Sequence, residues 1–341
     1  MNRGFVDLQS NKSLIQDVLT RLKLVEPNER IRVVPLSGGV SSTILKVEGN
    51  AGTFCIKQAL PSLKVSKTWK APVERVYAEI AWLELAQTIV PGCCPRILGV
   101  DRLTNSFVMS YLPPETFVNW KAELMSGRVN VSFAESVGKT IARIHSVTAD
   151  DEAIESDFAN DSNFLALRLD PYLLEVARQH PELAAPLRLR VQEIQSLKLA
   201  LVHGDMSPKN ILAGTDGPII LDAECACYSD PAFDAAFCLN HLLLKSVAVQ
   251  GRSAEMLRAF DACAEAYLSE ISWEPKKALE YRVASLIPML LLARISGKSP
   301  VEYLSEPQKR AIFAMAVPLV HQSPETLTEL RTALEDRRIV A

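Results

Sequence analysis

The chain has 341 residues, of which 48% are hydrophobic and 23% are charged, and its formal net charge is −3. A nearly neutral chain has no long-range basic field, so we expect binding neither to nucleic acid nor to an anionic membrane surface. The length exceeds what one hydrophobic core usually organises, which predicts two lobes.

The N-terminal stretch and the cysteines indicate the cellular compartment. Residues 1–13 contain no apolar run of the signal-peptide type, and the longest apolar run, residues 286–293, is too short to span a membrane. The seven cysteines lack the spacing of a zinc site and predict reduced, mostly buried thiols. We therefore expect a cytoplasmic protein.

The first hundred residues alternate between helical and strand patterns. Helical spacing of apolar residues predicts a helix within 6–24. Three short segments rich in β-branched residues then predict an antiparallel meander, and a second helix is expected over 73–89. The strands of the meander are expected at 31–36, 43–47 and 53–58, and two later strands at 97–100 and 106–111.

Pro113 and Pro114 end the sheet region, because proline rejects both strand pairing and helix continuation. We place an N-terminal lobe at residues 1–112 and a C-terminal lobe at residues 113–341. The second lobe is predicted to be helical almost throughout, interrupted by a loop and a short β-ribbon within 203–224. Its helices are expected over 132–145, 171–180, 183–197, 232–244, 254–271, 276–295 and 306–319.

The strongest chemical signal is the sequence HGDMSPKN at residues 203–210. Asp205 and Asn210 stand five positions apart, and Asp222 follows a short apolar strand, with Glu224 two residues beyond it. Such a set suits phosphoryl transfer, since one carboxylate accepts a hydroxyl proton while amide and carboxylate oxygens hold Mg²⁺ on nucleotide phosphates. We predict Asp205 as the catalytic base and Asn210, Asp222 and Glu224 as metal ligands, Glu224 acting directly or through a metal-bound water.

This constellation resembles the catalytic and metal-binding loops of the aminoglycoside phosphotransferase and choline kinase-like superfamily. The resemblance covers roughly residues 33–236 and implies an α+β, bilobal, protein-kinase-like fold, with a small antiparallel sheet lobe before a larger helical lobe. It implies ATP or GTP with Mg²⁺ and phosphorylation of a hydroxyl group on a small molecule. The small-molecule acceptor is the expected partner, and the chain is expected to act as a monomer or a homodimer.

The resemblance also implies a nucleotide-binding half in the first lobe. Lys57 ends the strand sequence Phe-Cys-Ile-Lys, where kinases place the lysine that binds the α- and β-phosphates. Glu79 is its expected partner, with Glu74 and Glu84 as alternatives. The turn residues Ser37, Gly38, Gly39, Ser41 and Ser42 are expected at the phosphates, where glycine lets the backbone approach closely.

The adenine end is expected at the strand that leads into the second lobe. Met109 would occupy the gatekeeper region, and backbone groups of Ser110 and Leu112 would hydrogen-bond the base. Side chains do not decide this assignment, because adenine is bound through the backbone.

Ser207 stands where protein kinases carry a lysine, and no long activation segment follows, which argues against a protein substrate. Asp230 and Asp234 resemble the superfamily's Asp-Pro-x-x-Asp box, and we expect both to support the loop rather than react. A nucleotide-binding regulator without turnover is the alternative function. It is disfavoured because Lys57, Asp205 and the metal-binding pair are all present.

The sequence leaves the acceptor open. Six acids and no Lys or Arg occur within residues 150–161, a composition that would attract a polycation but is usual for a solvated surface. Arg168, Arg190 and Arg294 lie in apolar helical segments, where they could contact an anionic or polyhydroxylated acceptor or cover the surface with their alkyl stems. Sugar derivatives, amino alcohols and aminoglycoside-like compounds all remain candidates.

Overall fold

Five antiparallel strands form the sheet of the first lobe in a computed structural model that describes residues 5–36, 41–62 and 71–336. The strand order is β1-β2-β3-β5-β4, so the expected meander is confirmed and the two later strands add to its β3 edge. The strands are β1 (Arg32–Pro35), β2 (Ser42–Gly49), β3 (Gly52–Ala59), β4 (Ile97–Asp101) and β5 (Ser106–Ser110).

Helix α1 (Lys12–Arg21) covers one face of this sheet, where Ile15, Val18 and Leu19 are buried against strand residues. The helix is shorter than the segment predicted from the sequence. It begins after Asn11, whose side chain accepts a hydrogen bond from the Leu14 N–H at 3.1 Å and so caps the first turn. Among the described residues before that cap, Leu8–Ser10 form a 3₁₀ turn rather than part of the helix.

Helix α2 (Arg75–Ile89) joins the sheet to the second lobe. Its Trp82 is fully buried and meets the His203 ring edge-on, with centroids 4.8 Å apart. The larger hydrophobic core runs without a break from α2 into the helices that follow. This continuous core shows no boundary at residue 112. The division of the chain into lobes at that residue therefore stays a prediction.

The rest of the described chain is mainly helical. Helices α4 (Val131–Thr148) and α10 (Ser253–Ser269) cross closely at Gly138, where an added Cβ would lie only 2.2 Å from the Cys263 carbonyl oxygen. The helices are α3 (Trp120–Met125), α4 (Val131–Thr148), α5 (Glu152–Asp157), α6 (Asp161–Phe164), α7 (Glu175–Gln179), α8 (Ala184–Ser196), α9 (Ala232–Ala248), α10 (Ser253–Ser269), α11 (Lys276–Ser296), α12 (Glu306–His321) and α13 (Leu327–Asp336).

Short strands frame the HGDMSPKN loop. β8 (Ile211–Ala213) pairs with β9 (Pro218–Ile220), which confirms the expected ribbon, and β7 (Ala200–Val202) pairs with β10 (Cys227–Ser229) on either side of it. These strands are β6 (Val118–Asn119), β7 (Ala200–Val202), β8 (Ile211–Ala213), β9 (Pro218–Ile220) and β10 (Cys227–Ser229).

One helix differs from its predicted start. We expected a helix from Pro171, but a wide helical segment, Leu165–Leu174, contains Pro171 in its interior and continues into α7. Hydrogen bonds in this segment follow the π pattern, whose wider turns accommodate a residue without an N–H.

Two expectations from composition can be compared with the structure. All seven cysteines are free and buried, as predicted. Within the described ranges, none of the helices combines the length and the apolar character needed to cross a membrane.

Candidate active site

Lys57, on β3, lies at the centre of a buried charge cluster. Its Nζ is 2.6 Å from the Glu79 Oε1 on α2, and it also forms an ion pair with Asp222. Of the three glutamates considered, Glu79 is the one within hydrogen-bond distance, whereas Glu74 and Glu84 are exposed. Lys57 therefore links the sheet lobe to Asp222 in the second lobe.

Burial and charge act in opposite directions on this cluster. Burial lowers the pKa of Lys57, but the carboxylates of Asp222 and Glu79 outweigh it and hold that pKa above its usual value. Burial raises the pKa of Glu79 to about 7, against the opposing charge of Lys57. Asp222 stays ionised, because Lys57 and Lys209 outweigh its burial and lower its pKa.

A pH titration of stability tests the raised pKa of Glu79. The carboxyl group of Glu79 binds its proton more tightly in the folded protein than in the unfolded chain. Protonation of Glu79 therefore stabilises the fold fully below about pH 4.5, and this stabilisation is lost as the pH rises through about 7. Relative to Glu79→Gln, the free energy of unfolding of the wild type should fall by about 3 kcal/mol across that window. Urea unfolding of the nucleotide-free proteins between pH 5 and 8 measures this difference, and a flat difference contradicts the assignment.

Asp205 is buried in the loop after β7. Its Oδ2 lies 2.6 Å from a terminal nitrogen of Arg168 and 3.1 Å from the Lys209 Nζ, while its buried Oδ1 has no hydrogen-bond partner among the described residues. Burial raises the pKa of Asp205, but Arg168 and Lys209 outweigh it and lower the pKa below its usual value. The carboxylate is therefore ionised, with one oxygen still able to accept a donor.

The loop around Asp205 is held by its neighbours. Asp234 accepts hydrogen bonds from the backbone N–H of His203 at 2.7 Å and of Gly204 at 2.9 Å. The Asp205 N–H donates to the His203 Nδ1, so the His203 Nε2 carries the proton that it donates to the Leu221 carbonyl. Burial lowers the pKa of His203, in keeping with this neutral ring.

Asp230 caps α9 by accepting from the Ala232 N–H at 3.0 Å, and its other contacts are to Arg282. With Asp234 on the loop N–H groups, both acids of the Asp-Pro-x-x-Asp box lie where a supporting role requires them.

Gly204 is needed for the tight turn before Asp205. Its φ is +79°, and an added Cβ would lie 2.9 Å from both the Cβ and the carbonyl oxygen of Cys225. Gly92 has a similar φ of +88° but no atom within 4 Å of such a Cβ, so it serves as a matched control.

We expect Gly204→Ala to lower the free energy of unfolding by about 2–5 kcal/mol, combining left-handed backbone strain with overpacking. Gly92→Ala should cost only the strain, about 1–2 kcal/mol. Urea unfolding of both variants gives the comparison. Equal losses would show that packing against Cys225 is unimportant.

Asn210 and Asp222 lie on the floor of a cleft of about 640 Å³ between the lobes, which Lys57, Ser41 and Ser42 also line. The Asn210 amide nitrogen donates to the Asp205 carbonyl at 3.0 Å, which holds its side chain beside the loop. Asp222 has a φ of +69°, a left-handed conformation that costs most residues free energy but that aspartate adopts more readily than most. An amide and a half-buried carboxylate are oxygen donors that fit Mg²⁺.

Glu224 faces a different partner. Its Oε2 accepts from the Arg75 Nε at 2.8 Å, and the same guanidinium donates to the Ser41 and Leu60 carbonyls. Arg75 is a site residue that the sequence did not single out, since a buried arginine at the start of a helix has no local signature. The role of Glu224 at a metal stays a prediction.

The remaining nucleotide residues divide into three groups. Ser37, Gly38 and Gly39 lie outside the described residues. Met109 lines the interlobe cleft, but Ser110 and Leu112 line a separate cleft of about 350 Å³. The Ser110 N–H donates to the Arg96 carbonyl at 2.9 Å, so this N–H is already engaged.

The acceptor signals also separate in space. Arg168 lies under Asp205, Arg294 lines the interlobe cleft, and Arg190 contacts Ser285 and Glu193 elsewhere. None of the six acids within 150–161 is among the described residues that line the cleft. The acidic segment is therefore a surface feature in this structure.

Comparison with known proteins identifies relatives. A methylthioribose kinase of Oryza sativa subsp. japonica is 24% identical over 255 residues, 66% of this chain and 59% of that protein. A methylthioribose kinase of Exiguobacterium sibiricum is 24% identical over 257 residues, 67% of this chain and 65% of that protein. The chain thus spans less than two thirds of the length of these relatives.

Solved structures share the fold. An amicoumacin kinase in complex with AMP-PNP, Ca²⁺ and Ami has a TM-score of 0.57 at 14% identity, covering 94% of this chain and 99% of that one. A choline kinase from Cryptosporidium parvum has a TM-score of 0.53 at 10% identity, covering 97% and 98%. The expected α+β, bilobal, kinase-like fold is confirmed.

The sequence model of the phosphotransferase enzyme family matches residues 32–269. Since this match spans well over half of the sequence, the chain belongs to the phosphotransferase enzyme family.

Proposed function

We propose that the protein is an ATP-dependent kinase that phosphorylates a hydroxyl group of a small molecule. The observation that carries this proposal is the buried Oδ1 of Asp205, which has no donor among the described residues and belongs to the same loop as the cleft residues Lys209 and Asn210. A hydroxyl group of an acceptor is a donor of the right kind for this oxygen.

Each residue then has a distinct task. Asp205 orients the acceptor hydroxyl and takes its proton late in the reaction, for which an ordinary, ionised carboxylate is sufficient. Lys57, held by Glu79, binds nucleotide phosphates, and Asn210 and Asp222 hold Mg²⁺ through oxygen atoms, with Glu224 in support. When bound, ATP with Mg²⁺ supplies the γ-phosphoryl group, which separates from ADP as the acceptor oxygen forms its bond to phosphorus.

Ser41 and Ser42 line the cleft on the side of the sheet lobe and are proposed to cover the phosphates. Met109 and the backbone carbonyl of Ser110 are proposed at the adenine base, together with Leu112. The charge cluster is preorganised: the lysine and both carboxylates are already paired, so little rearrangement is needed when phosphates replace one carboxylate on Lys57.

The test is ADP release with Mg²⁺ across a panel of sugars, amino alcohols and aminoglycosides, including methylthioribose because the relatives are named as its kinases. We expect acceptor-dependent release that disappears in Asp205→Ala. Nucleotide binding without such release for any acceptor would support a regulator without turnover instead.

A further inference from the structure

A group of cations at one end of the interlobe cleft is not accounted for by nucleotide binding at Lys57. It comprises Lys121 on α3, Lys209 on the catalytic loop, Lys245 on α9 and Arg294 on α11, with Ser207 and Tyr303. Together with His241 and Glu302, these residues are here called the basic pocket. The pocket encloses about 20 Å³, room for about one water-sized group, and shares Lys121, Lys209, Arg294 and Glu302 with the wall of the larger cleft.

Two of these cations lack an anionic partner. Lys245 is 1% exposed, and its contacts are a long hydrogen bond of 3.4 Å to the His241 carbonyl and the Tyr303 ring at 5.2 Å. Arg294 is 9% exposed and contacts Tyr172 and Ser299. Among the described residues, no carboxylate lies within ion-pair distance of either.

The acidic groups nearby are already engaged. Glu302 is the one acidic side chain among the described residues that line the basic pocket, and it is mostly exposed and paired with Lys121 at 2.5 Å. Asp205 accepts from Arg168 and Lys209. The excess positive charge around Lys245 and Arg294 is therefore not balanced within the described part of the chain.

Some residues that line the basic pocket also carry polar atoms without a partner among the described residues. Three atoms of residues that line the basic pocket are buried without a hydrogen-bond partner among the described residues: the Ser207 Oγ, the Tyr303 hydroxyl and the Arg294 Nε. Buried polar groups are normally satisfied, so such a group of donors indicates a ligand with several acceptor oxygens. Burial, together with Lys121 and Arg294, lowers the pKa of Lys245 to about 7, and a bound anion would relieve this unfavourable charge.

We propose that the acceptor carries an anionic group, a carboxylate or a phosphate, which binds at the basic pocket beside the hydroxyl that becomes phosphorylated. This inference rests on the proposed phosphotransfer, which it narrows. It disfavours neutral sugars and cationic amino alcohols or aminoglycosides as the preferred acceptor. Ser207 then has a positive role: its hydroxyl belongs to the acceptor site, two residues from Asp205.

Binding of small anions tests the inference without knowledge of the acceptor. Thermal unfolding would be followed with AMP-PNP and Mg²⁺ at saturation, so that the nucleotide-phosphate sites are filled. Glycerol, D-glycerate and glycerol 3-phosphate share one skeleton and differ in charge, and NaCl matches the ionic strength. We expect D-glycerate or glycerol 3-phosphate to raise the Tm, whereas glycerol and NaCl should leave it unchanged. The anion that raises the Tm more shows whether the pocket prefers a carboxylate or a phosphate.

Lys245→Met removes the buried charge at nearly constant volume, and its own stability should not fall, because an unbalanced buried charge is lost. We expect the anion affinity to drop at least tenfold, as for loss of a charge-assisted hydrogen bond, with AMP-PNP binding unchanged. Lys139→Met is the control, since Lys139 is exposed on α4 and paired with Glu135. If Lys245→Met does not fold, Lys121→Met, at the edge of the same pocket, should weaken the binding of D-glycerate or glycerol 3-phosphate.

The inference is wrong if neither anion shifts the Tm more than glycerol does, or if the shift persists in Lys245→Met. Measuring ADP release distinguishes a failure of the anionic-acceptor inference from a failure of the proposed kinase function. Asp205-dependent turnover of methylthioribose or an amino alcohol in preference to hydroxy acids and sugar phosphates would keep the kinase and refute the anionic acceptor. Specific anion binding without turnover of any acceptor would keep the site and refute the kinase.

Discussion

Replacing Asp205 with asparagine is expected to lower acceptor-dependent ADP release by about 10²–10⁴-fold, the usual contribution of a positioned general base. Asparagine has nearly the same shape and still accepts from Arg168, but it cannot take the hydroxyl proton. Nucleotide affinity should be essentially unchanged, since Asp205 faces Arg168 and Lys209 rather than the Lys57 cluster. Steady-state kinetics and binding of a fluorescent ATP analogue give the two readouts.

Asp17→Asn is the matched control for this substitution, because Asp17 is exposed on α1, away from the described cleft residues. It should leave both readouts at wild-type values. Removal of the carboxylate also leaves Arg168 and Lys209 with less counter-charge, so Asp205→Asn should unfold at a lower temperature. Full turnover in Asp205→Asn would contradict its role as the base.

Lys57→Met is expected to weaken ATP binding by about 10- to 150-fold, the effect of losing charge-assisted hydrogen bonds to phosphate. The apolar side chain also leaves Glu79 buried without its partner. Glu79 can respond by taking up a proton, because its pKa is already raised to about 7, and this limits the loss of stability. Displacement of a fluorescent ATP analogue measures the affinity, and thermal unfolding measures the stability.

Lys46→Met provides the comparison for Lys57→Met. Lys46 lies on the neighbouring strand β2, where it contacts Glu48 and the ring of Tyr111. Its loss should leave ATP affinity unchanged. ATP binding by Lys57→Met that equals the wild type would remove Lys57 from the nucleotide site.

The sequence predicts those features of the site that are written in contiguous residues. The HGDMSPKN loop, the β-ribbon after it and Lys57 at the end of an apolar strand each follow from local patterns. Glu79 follows as well, because a strand that ends in lysine and a helix that carries glutamate place two partners 22 residues apart. The sequence favours Glu79 and keeps Glu74 and Glu84 as alternatives, and in the structure Glu79 is the one beside Lys57.

What the sequence misses are contacts between distant residues. The pairing of Arg75 with Glu224 spans 149 positions, and neither residue carries a local signal of it. Arg168 was noted as a possible acceptor contact, but it holds the Gly204 carbonyl and the Asp205 carboxylate instead. Lys245 looks like an ordinary helical lysine in the sequence, and only packing shows that it is buried. Charge can be counted from sequence, whereas burial and pairing cannot.

The most direct test of the central claim is phosphorus-31 NMR of the wild-type protein with ATP, Mg²⁺ and each member of the acceptor panel. The account predicts a new phosphate-ester resonance together with ADP for at least one acceptor, and its absence with Asp205→Asn. Release of free phosphate alone, or no ester from any acceptor while ATP still binds, would contradict the claim that this site transfers a phosphoryl group to a hydroxyl.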